Sequence, residues 1–168
     1  MTRYHLAQIN VGHTLYPTDH PGIADFMNQL DEINALAESS PGFVWRLKSD
    51  SGNATDILLT DDPQFIINMS VWETPEALFD YVYKTGHTKV MARRREWFAR
   101  PDGAYQCLWW IPAGTEPTAQ QGLARLALLE ASGPTAQAFT FKQRFPAPDG
   151  QSDRAGNLSP DQHCVGWA

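Results

Sequence analysis

The stretch "FIINMSVWETPEALFDYVYKTGH", residues 65 to 87, carries two periodicities one after the other. From Phe65 to Trp72 the side chains alternate, with Ile67, Met69 and Val71 on one side and Ile66, Asn68, Ser70 and Trp72 on the other, which is the period of a strand. Thr74 then stands as an N-cap with Pro75 at the first helical position, and Glu76, Leu78, Phe79 and Val82 continue a helix. Beyond it, "KTGHTKVMARRREWF", residues 84 to 98, reads as one amphipathic helix with a kink at Gly86, resuming through Val90, Met91, Arg94, Trp97 and Phe98.

The pattern extends outward in both directions. Tyr4 to Val11 alternates as a first strand, "IADFMNQLDEINALAESS" is a first helix ended by Pro41-Gly42, and "GFVWRLKS" is a second strand. On the C-terminal side, "AYQCLWWI" is a fourth strand, "TAQQGLARLALLEAS" a helix stopped by Gly133-Pro134, and "AFTFKQRF" a short fifth strand. The order β-α-β-β-α-β, extended by α-β, predicts an α+β fold: a ferredoxin-like antiparallel sheet with helices on one face. Residues 1–145 form this domain, and 146–168, rich in Pro, Gly, Asp and Ser, form an irregular tail.

Alternation also sorts the sheet into two sides. Ala7, Ile9, Val11, Phe43, Trp45, Leu47, Ile67, Met69, Val71, Cys107, Trp109 and Ile111 make an apolar side, expected under the helices. Opposite lie Leu6, Gln8, Asn10, Val44, Arg46, Ile66, Asn68, Ser70, Trp72, Gln106, Leu108 and Trp110. Water does not call for two indoles, and a dry core does not tolerate unpaired amides and a guanidinium. The mixture suits a semi-enclosed cavity, and a second copy of the sheet in a two-fold homodimer would close it. A polar dimer interface with satisfied hydrogen bonds is the plainer alternative.

Composition narrows the partners. The chain has 168 residues, 42% of them hydrophobic and 19% charged, and a net charge of -6, which argues against nucleic acid. Two cysteines, Cys107 and Cys164, make no disulfide framework and suggest a reduced compartment; adjacent His163 and Cys164 make a poor metal site. No apolar run is long enough to span a membrane and MTRYHLAQIN does not read as a signal, so a soluble cytoplasmic protein is expected. GxGxxG, P-loop, GxSxG and HExxH motifs are absent.

"HLAQIN", "SPGFVWRL", "NMSVWETPEALFDYVY", His87, "REWF", "LWWIPAGTEPT" and "GPTAQAFTF" together resemble a bacterial and fungal family catalogued as a domain of unknown function, DUF family 3291. The similarity covers residues 4 to 145 and implies the dimeric α/β-barrel superfamily, with antibiotic-biosynthesis, haem-degrading and spheroidene monooxygenase-like members. It implies a homodimer with a small-molecule pocket and a monooxygenase acting on an aromatic or polyketide-like substrate, with haem or with no cofactor. A non-catalytic small-molecule or haem carrier and a cofactor-independent isomerase or cyclase are the alternatives.

His87 and Arg46 are the candidate catalytic residues. His87 would be a general base or, with haem, the iron ligand, although the histidine of haem-degrading members aligns one turn later, at Met91. A histidine at a helix break that bonds a backbone carbonyl is the plainer role. The Arg46 fork suits a carboxylate, a propionate or an enolate oxygen, or else an ion pair with a dimer-mate carboxylate. Candidate ligand contacts are Gln8, Asn10, Asn68, Ser70, Trp72, Met91, Trp97, Gln106 and Trp110: amides to stabilise an oxyanion and indoles to stack on a flat ligand.

Overall fold

The computed structural model describes residues 3–50, 52–55 and 60–149, so the candidate pair His163 and Cys164 lies outside the described residues. Along the chain come β1 (Tyr4–His13), a 3-10 turn (Pro21–Ile23), α1 (Ala24–Ser39), β2 (Phe43–Arg46), β3 (Phe65–Trp72), α2 (Pro75–Lys84), α3 (His87–Ala92), α4 (Arg94–Trp97), β4 (Gln106–Pro112) and α5 (Ala119–Ser132). The four strands pair antiparallel in the order β2-β3-β1-β4, the ferredoxin-like arrangement.

Local chemistry sets the helix starts where the sequence places them. Thr74 Oγ1 accepts from Ala77 N at 3.1 Å with Pro75 at the first position of α2. Thr118 and Gln121 exchange side-chain and backbone hydrogen bonds at 2.8 and 3.2 Å to open α5. The segment 84–98, in contrast, is not one helix. Thr85 is extended at the end of α2, and its hydroxyl donates to Tyr81 O while accepting from His87 N at 3.3 Å. The chain then restarts as α3 and again as α4, so a threonine that competes for helical backbone groups makes the break at Gly86 complete. Residues 138–145 are not a fifth strand either. Phe139 alone bridges Leu108, through backbone bonds of 2.8 and 2.9 Å, before the chain turns.

Two further corrections concern the sheet. Phe43 pairs with Trp72 and Trp45 with Val71, so an irregularity between Phe43 and Trp45 leaves Val44 exposed and moves Phe43 to the amide side, edge-on to Trp72. More consequentially, both sides of the sheet are covered by helices of the same chain. Leu6, Trp72, Leu108 and Trp110, on the amide side, pack with Leu78, Tyr81 and Val82 of α2, Met91 of α3, and Phe139, Phe141 and Ala147. Ile66 on that side packs with Ile23, Phe26, Val90 and Trp97. The roof expected from a symmetry mate is therefore α1 to α4 of the same chain.

The apolar side, from Ala7, Ile9 and Val11 to Cys107, Trp109 and Ile111, packs instead on Ala119, Leu126 and Leu129 of α5. Gly122 permits that approach, since a Cβ there would stand 2.7 Å from Met69 Sδ and 2.8 Å from Ile9 Cδ1. Strand alternation identifies which side chains share a side, but it is silent on which layer covers it. No helix among the described residues is long and apolar enough to cross a membrane.

Gly42, which leads into β2, has φ +80°, and a Cβ there would meet Ala77 Cβ at 2.6 Å. Gly42→Ala should lower unfolding stability by about 2 kcal/mol or more in urea titrations. Ala77→Gly should couple favourably with it in a double-mutant cycle by removing the clash. Wild-type stability in Gly42→Ala would contradict the packing of β2 against α2.

Candidate functional site

Four polar residues of the amide side, Gln8, Asn10, Asn68 and Ser70, hydrogen-bond in a row across the sheet. Gln8 faces Ser70 and Asn10 faces Asn68 in the β1–β3 register, while Gln106 stands opposite Asn10 on β4. Gln8 Nε2 donates to Asn68 Oδ1 and to Ser70 Oγ, both at 3.0 Å, and Asn10 Nδ2 donates to Gln8 Oε1 at 3.2 Å. Trp72 Nε1 donates to the same Ser70 Oγ at 2.8 Å. Gln8, Asn10, Ser70, Trp72 and Gln106 are buried, so each hydrogen bond offsets a desolvation cost that an apolar side chain would not incur.

His87, the first residue of α3, sits above this row and is wholly buried. The helix break directs its ring back toward α2, where Nδ1 lies 3.4 Å from Val82 O and the ring centre 4.9 Å from that of Tyr81. A carbonyl oxygen only accepts, so Nδ1 carries the proton and Nε2 presents its lone pair. Nε2 is buried and has no hydrogen-bond partner among the described residues. Burial pulls the His87 pKa down to about 4, against a smaller opposing effect of the Val82 carbonyl, so the ring is neutral at pH 7.

His87 and Asn68 line one cavity of about 30 Å³ with Phe26, Gln29, Leu30, Ile33 and Asn34 of α1 and Val90 of α3. With its Oδ1 engaged by Gln8, Asn68 keeps an Nδ2 donor that has no hydrogen-bond partner among the described residues. A residue with a base-form nitrogen and one with an amide donor thus line the same small space. Such a pair is complementary to a group that loses a proton at one atom and gathers negative charge at its neighbour.

The remaining candidates do not join them in the cavity. Arg46 bonds Glu38 Oε1 and the Gly52 carbonyl, at 2.8 and 2.7 Å, so its partner is a carboxylate of its own chain. Its charge acts on Tyr81, whose hydroxyl pKa burial pushes up and Arg46 moderates. Met91 belongs to the core cluster of Tyr81 and Leu108. Trp97 packs behind Phe26 with ring centres 5.6 Å apart, and Arg93 covers its face at 4.8 Å. Trp110 donates from Nε1 to Phe145 O at 2.8 Å, away from the cavity. Sequence reasoning missed the α1 wall and Tyr81. The signal for the wall was the α1 spacing of Phe26, Leu30 and Ile33, there assigned to the other side of the sheet.

Haem fits poorly at His87. Pockets that enclose drug-sized ligands run to roughly 300–1,000 Å³, and a space of about 30 Å³ before Nε2 has no room for a porphyrin. Arg46, the group expected to hold a propionate, is engaged elsewhere. No group of three or more metal-ligating side chains occurs among the described residues.

A family model described as Domain of unknown function (DUF3291) matches residues 5–155. The chain belongs to this family. Among solved structures, DUF3291 as represented by this chain is similar to SnoaB, a cofactor-independent oxygenase from Streptomyces nogalater, at 15% identity and a TM-score of 0.42, over 67% of this chain and 95% of that one. It is also similar to the NE2512 protein of unknown function from Nitrosomonas europaea, at 13% identity and 0.43, over 70% and 97%. Rv0793 from Mycobacterium tuberculosis matches at 14% identity and 0.43, over 68% and 99%. No curated protein matches the chain. The ferredoxin-like assignment rests on the strand order itself.

A histidine whose pKa falls from 6.5 in the unfolded chain to about 4 in the folded one lowers stability as pH drops through that interval, because the unfolded chain takes the proton first. The loss reaches roughly 3 kcal/mol by pH 4. The urea midpoint of His87→Phe should therefore decline less than that of the wild type between pH 6.5 and 4. Parallel declines would show that His87 is not the buried neutral base.

Proposed function

We propose that this protein is a cofactor-independent monooxygenase acting on an aromatic or polyketide-like carbon acid. The observation that carries it is the buried, neutral His87, whose Nε2 has no hydrogen-bond partner among the described residues and which lines one cavity with Asn68. Nε2 takes a proton from a carbon next to a carbonyl, and Asn68 donates to the oxygen on which the enolate charge collects. The carbanion supplies two electrons to dioxygen, forming a carbon–oxygen bond and a peroxide that takes up the proton. Loss of water leaves a new carbonyl, so one methylene group and one dioxygen become one carbonyl group and one water. A base of pKa about 4 is weak in the free protein, and the enolate formed beside it supplies the counter-charge that burial withholds.

A ring system exceeds about 30 Å³, so substrate binding must part α1 from α3 at Leu30, Ile33 and Val90. The site is built from one chain. The reading therefore does not require the homodimer that the family resemblance implies; sedimentation equilibrium tests the pair separately, against a single-chain mass of 18.8 kDa.

With anthrone as substrate, an oxygen electrode should record one dioxygen consumed per anthrone. His87→Gln should lower kcat/KM by about a hundredfold or more, and Asn68→Ala by roughly tenfold to a hundredfold. For the wild type, kcat/KM should stay level from pH 8 to 5, whereas a base with an ordinary histidine pKa near 6.5 would already be about thirtyfold down at pH 5. Oxygen uptake unaffected by His87→Gln would refute the assignment. Exchange of the anthrone methylene protons with deuterated water without oxygen uptake would identify an isomerase using the same pair.

A further inference from the structure

Four of the chain's 13 basic residues, Arg93, Arg94, Arg95 and Arg100, fall between positions 93 and 100 of a chain whose net charge is -6. The His87 cavity uses none of them. Arg93 is neutralised by Asp25 and Glu96, at 2.9 and 2.8 Å, and Arg95 is exposed. Arg94 and Arg100 both line a second cavity, of about 400 Å³, whose walls are the end of β1, the start of β3 and the segment 99–105 that leads into β4. The two cavities share no lining residue. Phe98 touches a wall of each: Arg94 lies over its ring at 5.4 Å, and Phe26 meets it edge-on at 5.0 Å.

Arg94 is half-buried, and its guanidinium lies 5.3 Å from the centre of the Tyr105 ring as well as over Phe98, so aromatic faces set its position. Arg100 makes no hydrogen bond or ion pair among the described residues. Of the other charged or titratable side chains in the wall, His13 is engaged by Asp62 at 2.8 Å, and Asp102 forms no ion pair among the described residues. Two guanidiniums against one carboxylate leave the lining with one positive charge in excess. Val11, Phe65, Pro101 and Ala104 make the remaining wall apolar.

We infer that this second cavity binds an aromatic monocarboxylate, whose carboxylate accepts from Arg94 and Arg100 while its ring lies against Phe65 and Tyr105. A guanidinium fork matches the planar carboxylate, and a single negative charge matches the excess of the lining. The ring removes apolar wall from water, which a small inorganic anion does not. A volume of about 400 Å³ is that of an ordinary small-molecule pocket. The inference goes beyond the oxygenase reading and stands independently of it, because no residue of the His87 cavity takes part.

Titration calorimetry of the full chain tests it with three probes: 2-naphthoate, its neutral counterpart 2-naphthalenemethanol, and inorganic phosphate. The naphthoate should bind at least roughly tenfold more tightly than either of the others. Arg100→Gln, at an exposed position, should weaken naphthoate binding by roughly fivefold or more and leave the alcohol within about twofold of its wild-type affinity. Arg94→Met keeps an apolar stem against Phe98 and Tyr105 and should weaken naphthoate at least as much, with thermal melting verifying that the variant is folded. His87→Gln should leave naphthoate binding unchanged. Undetectable naphthoate binding, equal affinity for the alcohol or for phosphate, or naphthoate binding unchanged in both arginine variants would overturn the inference. Loss of naphthoate binding in His87→Gln would overturn it too, by assigning the ligand to the other cavity. Naphthoate binding as predicted, without oxygen uptake on anthrone, would leave this site standing and remove the oxygenase function.

Discussion

Four polar side chains on the side of the sheet covered by α1 to α4 hydrogen-bond to one another, and three of them, Gln8, Asn10 and Ser70, are buried. Gln8 stands at the middle of the arrangement: its amide nitrogen serves both Asn68 and Ser70, and its oxygen receives Asn10. Trp72 adds its indole hydrogen to Ser70 from one side. Such a network tolerates only one strand register, since a slip by one residue would send every amide into the apolar layer under α5. The register in turn fixes Asn68 across from Asn10 and places it in the cavity wall.

The second fixed point is the Thr85 hydroxyl, which takes the place of helical hydrogen bonding between Tyr81 and His87. Had α2 continued smoothly, position 87 would have been carried onward along the same axis. The break instead folds α3 back over the sheet and buries the imidazole against Tyr81, which stacks in turn on Trp72 at 5.1 Å. Packing of α1 closes the remaining side, and ion pairs of Arg93 with Asp25 and Glu96 tie the start of α1 to α4 across the exposed rim. These rim pairs contribute little by themselves in solvent. Apolar contacts of Phe26 with Trp97 and Phe98 hold the same junction.

Features set by neighbouring residues were legible in the sequence. β3 spans Phe65–Trp72 as its alternation indicates, and Thr74 caps its helix because capping depends on groups only two or three residues away. The membership of the amide row was also legible, since alternation is a local property. What alternation could not reveal was the layer above that row, because the choice between α5 and α1 to α4 is made by shape: Gly122 fits against Ile9 and Met69, and Phe26 fits against Trp97. Arg46 looked like an isolated inward cation because its partners, Glu38 and the Gly52 carbonyl, come from a helix end and a loop that no periodicity links to β2. Phe139 reads as part of a strand through its apolar neighbours, although it forms a single bridge before the chain turns.

The account stands on one protonation state at one atom. Nitrogen-15 NMR of the histidine side chains, with His87 assigned by comparison with His87→Gln, reads the tautomer and charge of the ring directly. A hydrogen on Nδ1, a bare Nε2 and an uncharged ring persisting down to pH 5 are the predicted result. A hydrogen on Nε2, or a ring already charged at pH 6, would contradict it.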